Sequence, residues 1–430
     1  MSDKWALIST DRLVLLIMAL LPVGLLFAPF LLSVCMIASA VVALFVLKRT
    51  PKLVVALRPG LAQRWQAFIK APHFYILLAY FFLTFWGIGG LEDTSYWLSR
   101  LRIKLPFLIL PLAFFFLPRP SNRALDGLLY FLVGLLVLTS LGVLINYLLD
   151  FEAINKLIKQ GQTLPLPCNH VRFSLLLAFG VLIAMYLYFQ KYYWKWPWEK
   201  YLQLGAALFL FAFIHVLSVR SGIVVVYATL FLLVIRYIFK TGRWLLGAGV
   251  LLAMAAFPFL AYQTMPSLRA KVDYVKYDLF MYQHGHEDAK LSDSARWISL
   301  KIGWDIFKAH PVVGTGVGNF KSAVQNHYEQ NYPAISPLER KMPHNQFLSV
   351  LGATGVLGFL LFLGVFLLPI FYQENHQHWL LLGFYLIIFL SFMVENTIEN
   401  AMGVGFFIYY LLHLLLRFTK PELRVSSDKV

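Results

Sequence analysis

The chain has 430 residues, of which 60% are hydrophobic, 17% aromatic and only 13% charged. Its mean hydropathy is +0.69. A soluble domain with so little charge cannot cover its own surface, which excludes a water-soluble enzyme or binding module. The net charge of +16 is spread through short connections, so the compact cationic face of a nucleic-acid binder is not expected.

A bilayer core takes roughly 20 apolar residues per helix. Twelve apolar runs appear in chain order: 13–28, 30–47, 74–90, 105–118, 127–148, 171–190, 202–219, 221–239, 244–262, 346–370, 378–395 and 400–417. The run 105–118 is short and also fits a re-entrant segment. The first run lacks a small-residue cleavage site and is followed at once by another, unlike a cleavable signal peptide. Tyr192, Tyr193, Trp194, Trp196 and Trp198 crowd one run's end as an interfacial belt does. The expected fold is an all-α polytopic integral membrane protein with about twelve transmembrane helices.

Orientation follows from the basic residues of the short connections. Lys48, Arg49, Lys52, Arg58, Arg64 and Lys70 follow the second run with no acidic residue among them. Arg119 and Arg123, then Lys191, Lys195 and Lys200, then Lys240 and Arg243, fall in later even-numbered connections. Arg417, Lys420, Arg424 and Lys429 close the chain. All lie on one side if both termini are cytoplasmic, where they also match anionic headgroups. Residues 1–262 then carry nine helices, 263–345 form one large periplasmic loop, 346–417 carry three more helices, and 418–430 are a cytoplasmic tail. The loop has ten Lys/Arg against eight Asp/Glu, the balance of a folded external element.

Cys35 falls inside the second run and Cys168 in an outer connection, so no disulfide framework is expected. His284 and His286 form an H-x-H without an acidic or cysteine partner at ligand spacing, and no metal site is assigned. No repeat at a solenoid period and no inverted repeat is apparent.

The loop has its own pattern. Trp297, Leu300, Trp304 and Phe307 fall on one stripe of an amphipathic helix, with Asp293 or Ser294 as N-cap and Pro311 as stop. Such a helix lies on the outer membrane surface or covers a cavity. Arg296 then sits in its first turn, where a guanidinium and free backbone N–H groups together suit a diphosphate; contact with a lipid phosphate is the plainer alternative. Gly314-Thr315-Gly316-Val317-Gly318 follows no strand and does not fit a dinucleotide fingerprint; its glycines suit a tight turn.

Arg220 lies between two apolar runs in too short a connection to escape far into water. An arginine held at membrane depth needs a counter-charge or a polar cavity, although a helix-end arginine also snorkels. Arg172 is a weaker candidate of the same kind. His344, in Pro343-His344-Asn345-Gln346, opens the run after the loop. A histidine with an ordinary value near ~6.5 accepts a proton at neutral pH. Asn345 is placed to cap that helix. Gly352, Gly355 and Gly358 form a smooth stripe for a neighbouring helix or lipid chain. Glu395 and Glu399, near the outer end of the last pair of runs, are placed to pair with an arginine or act as a carboxylate base.

The order Arg220-Ser221-Gly222, Arg296 with Trp304, Pro311-x-x-Gly314-x-Gly316-x-Gly318-x-Phe320 and His344-Asn345-x-x-Leu348 with Gly355 and Gly358 resembles the bacterial O-antigen ligase family. That family shares its pattern with O-antigen polymerases and some protein O-oligosaccharyltransferases. The resemblance covers about 200–400 and specifies the superfamily better than the acceptor. Val219 stands where the pattern often has a polar residue, and Ala353 and Thr354 where an acidic residue often precedes Gly355.

The resemblance implies a glycosyltransferase-C-like fold with amphipathic helices in the periplasmic loop, at the bacterial inner membrane. The implied reaction transfers a glycan from undecaprenyl diphosphate to a lipid A–core hydroxyl at the periplasmic face, with inversion. His344 is the implied base or acceptor-orienting residue, and Arg220 and Arg296 neutralise the diphosphate. Arg172, Asn345 and Glu395 are further candidates for substrate contact. The linkage is already activated, so neither ATP, nucleotide sugar, metal nor other cofactor is implied. A polymerase of the same superfamily, a protein glycan ligase and a lipid-linked glycan transporter are the alternatives. A transporter needs matched polar residues on both sides of the membrane, whereas these candidates concentrate on one.

Overall fold

The computed structural model describes residues 2–49, 53–190, 194–284 and 292–419. Lys52, Lys191, Tyr192, Tyr193, His286 and the basic tail beyond residue 419 lie outside them. The described chain is helical apart from one antiparallel hairpin.

Helices α1 (Ser2–Phe27) and α2 (Pro29–Leu44) are joined through Ala28. The apolar run expected to end at 47 leaves the helix at Phe45, and β1 (Phe45–Arg49) pairs with β2 (Leu53–Leu57), Phe45 opposite Leu57. Aromatic and β-branched residues on either side of Pro51 favour a hairpin there over a continued helix. Next come α3 (Leu61–Ile69), α4 (Pro72–Phe82) and α5 (Thr94–Phe116). Helix α5 is continuous and extends the short run 105–118 back to Thr94. Its first half was illegible as helix because Arg100, Arg102 and Lys104 interrupt the apolar pattern.

Helices α6 (Asn122–Leu149), α7 (Phe151–Lys159), α8 (His170–Gln190), α9 (Glu199–Leu217), α10 (Arg220–Thr241) and α11 (Trp244–Thr264) follow. The segment expected as a loop holds α12 (Pro266–Gln283), α13 (Ser292–Ala309) and α14 (Phe320–Asn331). The chain closes with α15 (Gln346–Phe371), α16 (Trp379–Val394) and α17 (Ala401–Phe418). Among the described residues, eight helices are long and apolar enough to cross a membrane, and α2 and α16 are shorter apolar helices.

Helix α8 is apolar all round and 89% buried over its span, whereas α11 is only 11% buried. The first is the centre of the bundle and the second presents its side chains outward. Phe179 of α8 packs on Phe384 of α16 and on Phe406 and Tyr410 of α17, with ring centroids 5.0, 6.2 and 5.1 Å apart. At one end of the bundle, Arg417 pairs with Asp126 at 2.7 Å, Arg119 donates to the Leu416 carbonyl and Arg64 to that of Phe116. Trp194, Trp196 and Trp198 stack on one another, about half exposed.

The opposite end holds α12, α13 and α14. Helix α13 departs from the expected stripe: Trp297 and Trp304 are 64% and 49% exposed, while Ile298, Ile302 and Ile306 pack on Phe320, Val324 and Tyr328 of α14. Both stripes have helical period; the isoleucines pack against a partner helix, and the tryptophans are left facing out, as suits a lipid interface. The described helix already includes Ser292, ahead of the expected cap, so Arg296 lies beyond the first turn.

The expected glycine turn is present, and its partner is α15. Gly355 breaks that helix with φ 61° and ψ −167°, a region open essentially to glycine alone. The turn's backbone replaces the lost helical bonds: Val356 N donates to Pro311 O at 2.9 Å, Gly316 N to Ala353 O at 2.9 Å and Thr315 N to Gly352 O at 3.0 Å. Gly352 lies under the ring of Phe320, and a Cβ there would meet it at 2.5 Å. The Gly352/Gly355 stripe therefore receives the 311–318 turn and α14, where a neighbouring bundle helix or a lipid chain was expected. This lock fixes α13 against the start of α15.

Candidate active site

The α7–α8 connection with the start of α8, the α9–α10 turn, α12, α13, the segment before α15 and the end of α16 line one cleft of about 550 Å³. Helix α8 begins under an Asn169 cap, whose Oδ1 accepts from Val171 N and Arg172 N at 3.0 and 3.3 Å. Helix α10 begins at Arg220, after a two-residue turn in which Ser218 takes a left-handed φ of 57°. Gly222 packs directly on Ser174 of α8. Any larger residue would separate the two helix starts, so this contact puts Arg172 and Arg220 on one cleft.

His344 enters from the segment before α15. Its backbone N donates to Ser299 Oγ of α13 at 3.3 Å, and Gly303 of α13 lies against Pro343. Asn345 caps α15, accepting from Leu348 N at 3.0 Å, and its Nδ2 donates to Met393 O at 3.0 Å. Asn345 does not line the cleft; its contacts are those of a helix cap.

Glu395, at the end of α16, ties these pieces together. Its Oε2 lies 3.2 Å from His344 Nδ1 and 3.8 Å from Arg172 Nη1, and its Oε1 accepts from Arg296 Nη2 at 3.1 Å. The carboxylate is 7% exposed, against 22% for His344, 32% for Arg296 and 6% for Arg172. Arg172 Nη2 also donates to Asn396 O at 3.5 Å, and its buried Nε meets no acceptor among the described residues. Burial pushes the Glu395 carboxyl up, but the hydrogen bond and charge of His344 and the charges of Arg172 and Arg296 outweigh it and hold the group below the ordinary carboxylate range. Glu395 is thus ionised and fully engaged, a poor candidate for a base and a good one for orienting the imidazole. With Nδ1 on Glu395, Nε2 is the ring nitrogen left for a ligand.

The structure therefore brings Arg172, Arg220, Arg296, His344 and Glu395 to one cleft and leaves Asn345 beside it. It adds Lys271 of α12 and Lys341, neither of which was singled out from the sequence. Lys271 donates to Gly161 O at 3.0 Å. Lys341 precedes His344 by three residues and was legible by proximity; α12 carried no periodic signal that pointed Lys271 inward. Five cations and one carboxylate line the cleft among the described residues. Such an excess of charge favours an anionic ligand with several negative oxygens.

Residues 204–363 match the family described as O-antigen ligase. That stretch is an O-antigen ligase family domain. No curated protein matches the chain. The O-antigen ligase domain begins early in α9 and ends within α15, so it supplies Arg220, Lys271, Arg296, Lys341 and His344. Arg172 and Glu395 come from α8 and α16, outside it, and complete the site. Beside that match, eight helices among the described residues are long and apolar enough to cross a membrane.

Proposed function

We propose that the protein is an O-antigen ligase of the bacterial inner membrane. It moves a glycan from undecaprenyl diphosphate to a sugar hydroxyl of lipid A–core at the periplasmic face. The observation that carries this reading is the His344–Glu395 pair standing among Arg172, Arg220 and Arg296 in one cleft. The acceptor hydroxyl attacks the anomeric carbon, its proton passes to His344 Nε2, and the bond from that carbon to the diphosphate oxygen breaks with inversion. Negative charge grows on the leaving oxygen, where Arg220 and Arg296 stabilise it. Lys271 and Lys341 extend the same field along the cleft. A positioned base contributes about 10²–10⁴-fold to such a step.

The test is transfer by purified protein in lipid nanodiscs, given undecaprenyl-diphosphate-linked glycan and lipid A–core. Glycan attached to the core supports the ligase. Glycan chains that lengthen while the core stays bare identify a polymerase, and a protein that turns over neither acceptor defeats the assignment.

A further inference from the structure

A second, partly buried carboxylate lies four residues after Glu395, outside the cleft. Glu399 Oε1 accepts from Lys104 Nζ at 2.7 Å, Gln346 Nε2 at 2.9 Å and Tyr80 OH at 3.3 Å, and Arg100 Nη1 stands 3.5 Å from Oε2. Lys104, 4% exposed, also donates to the Ile398 carbonyl, and Arg100 Nη1 donates to Glu399 O at 2.8 Å. The adjoining cavity is about 60 Å³, room for a few waters and not for a sugar ring. The cluster is therefore a support and not a subsite.

What it supports is visible in the residues it touches. Gln346 is fully buried and held at both ends of its amide: Nε2 by Glu399, and Oε1 by Ile398 N at 3.1 Å. Asn345 binds Met393 O, and His344 binds Glu395. Three consecutive residues, 344 to 346, are thus stitched to the stretch 393–399. Glu399 anchors the far end of that seam to α5 through two cations.

We infer that Glu399 is a positioning residue for the transfer reaction: acting through Gln346, it sets the placement of His344 against Glu395. This rests on the O-antigen ligase reading for its chemistry and on the seam for its geometry. Glu399 meets Lys104, Gln346, Tyr80 and Arg100, none of which lines the cleft; of the diphosphate-facing cations, Arg296 meets the seam through Glu395, while Arg220, Lys271 and Lys341 line the rest of the cleft. Its loss therefore falls chiefly on the proton transfer and much less on donor binding.

The experiment compares wild type, Glu399→Gln and Gln346→Leu in nanodiscs. Gln346→Leu cuts the seam without unpairing a buried charge, so it reports even where Glu399→Gln folds poorly. Amide hydrogen exchange in peptides covering 343–348 and 394–400 is expected to quicken about tenfold or more in both variants. In the transfer assay, kcat per folded molecule is expected to fall about 10- to 100-fold, as a small misplacement of a reacting group does, with donor KM within about twofold of wild type. Wild-type exchange and wild-type kcat in Gln346→Leu would overturn the inference, as would a loss that falls on donor KM alone. If wild type transfers nothing, the ligase reading fails, and the exchange comparison still decides whether Glu399 holds the seam.

Discussion

Glu395 answers to three partners at once, and each would be worse placed without it. Arg172 is 6% exposed, and a buried cation stripped of its counter-charge costs about 3–5 kcal/mol. Glu395→Gln keeps the shape but removes that charge and the tautomer control over His344. It is expected to lower kcat about 10²-fold and to lower the thermal midpoint in detergent. Its folded-state pKa lies below the unfolded one. The stability it contributes is therefore complete above the ordinary glutamate value of about 4.3 and is lost as pH falls through the lower folded value. The thermal midpoint of the wild type should therefore fall on the acid side of that range, and Glu395→Gln should flatten the dependence. Arg172, Arg220 and His344 stood out in the sequence as polar residues at the edges of apolar runs, and the fold brings them to one cleft. The hub role of Glu395 was not legible, since Arg172, Arg296 and Glu395 are 124 and 99 residues apart along the chain, a distance that only the fold closes.

At the scale of elements, the lock between the 311–318 turn and the break in α15 decides where His344 stands. Gly355→Ala forces an L side chain to φ 61° and drives its Cβ into the Val312 backbone. The cost from the backbone conformation alone is about 1–3 kcal/mol, and the collision adds to it. A lower thermal midpoint with loss of transfer is expected; a variant as stable and active as wild type would mean that the turn does not set the site. The glycines announced a turn, but its partner was hidden, because the bonds that receive it exist only once α15 is broken. Helix α13 teaches a related lesson. Its tryptophan and isoleucine stripes share one period, and amphipathicity alone does not say which faces a neighbour.

For the whole molecule, the Arg417–Asp126 pair and the candidate site lie at opposite ends of α8 and α17. Asp126, Tyr186 and Arg417 meet at one end, and Arg172 and Glu395 at the other. From residue 127 onward the apolar runs match their helices to within a few residues, because a bilayer-length helix leaves an unbroken signal; the start of α1, the end of α4, β1–β2 and the first half of α5 depart from the runs, and eight helices rather than twelve are long and apolar enough to span among the described residues. Sidedness gives a direct prediction. In a chain with Cys35 and Cys168 replaced by serine, Leu338→Cys, at a residue 97% exposed, should react with a membrane-impermeant maleimide in intact spheroplasts. Trp198→Cys, at a residue 55% exposed at the other end, should react only after permeabilisation; the reverse pattern would turn the cleft toward the cytoplasm.

The most direct test of the account is the transfer rate of His344→Ala beside wild type, per folded molecule and at saturating donor. A drop of about 10²-fold or more, with binding of the lipid-linked donor retained, is what a base held by Glu395 predicts. A His344→Ala enzyme that transfers glycan at the full rate would contradict it.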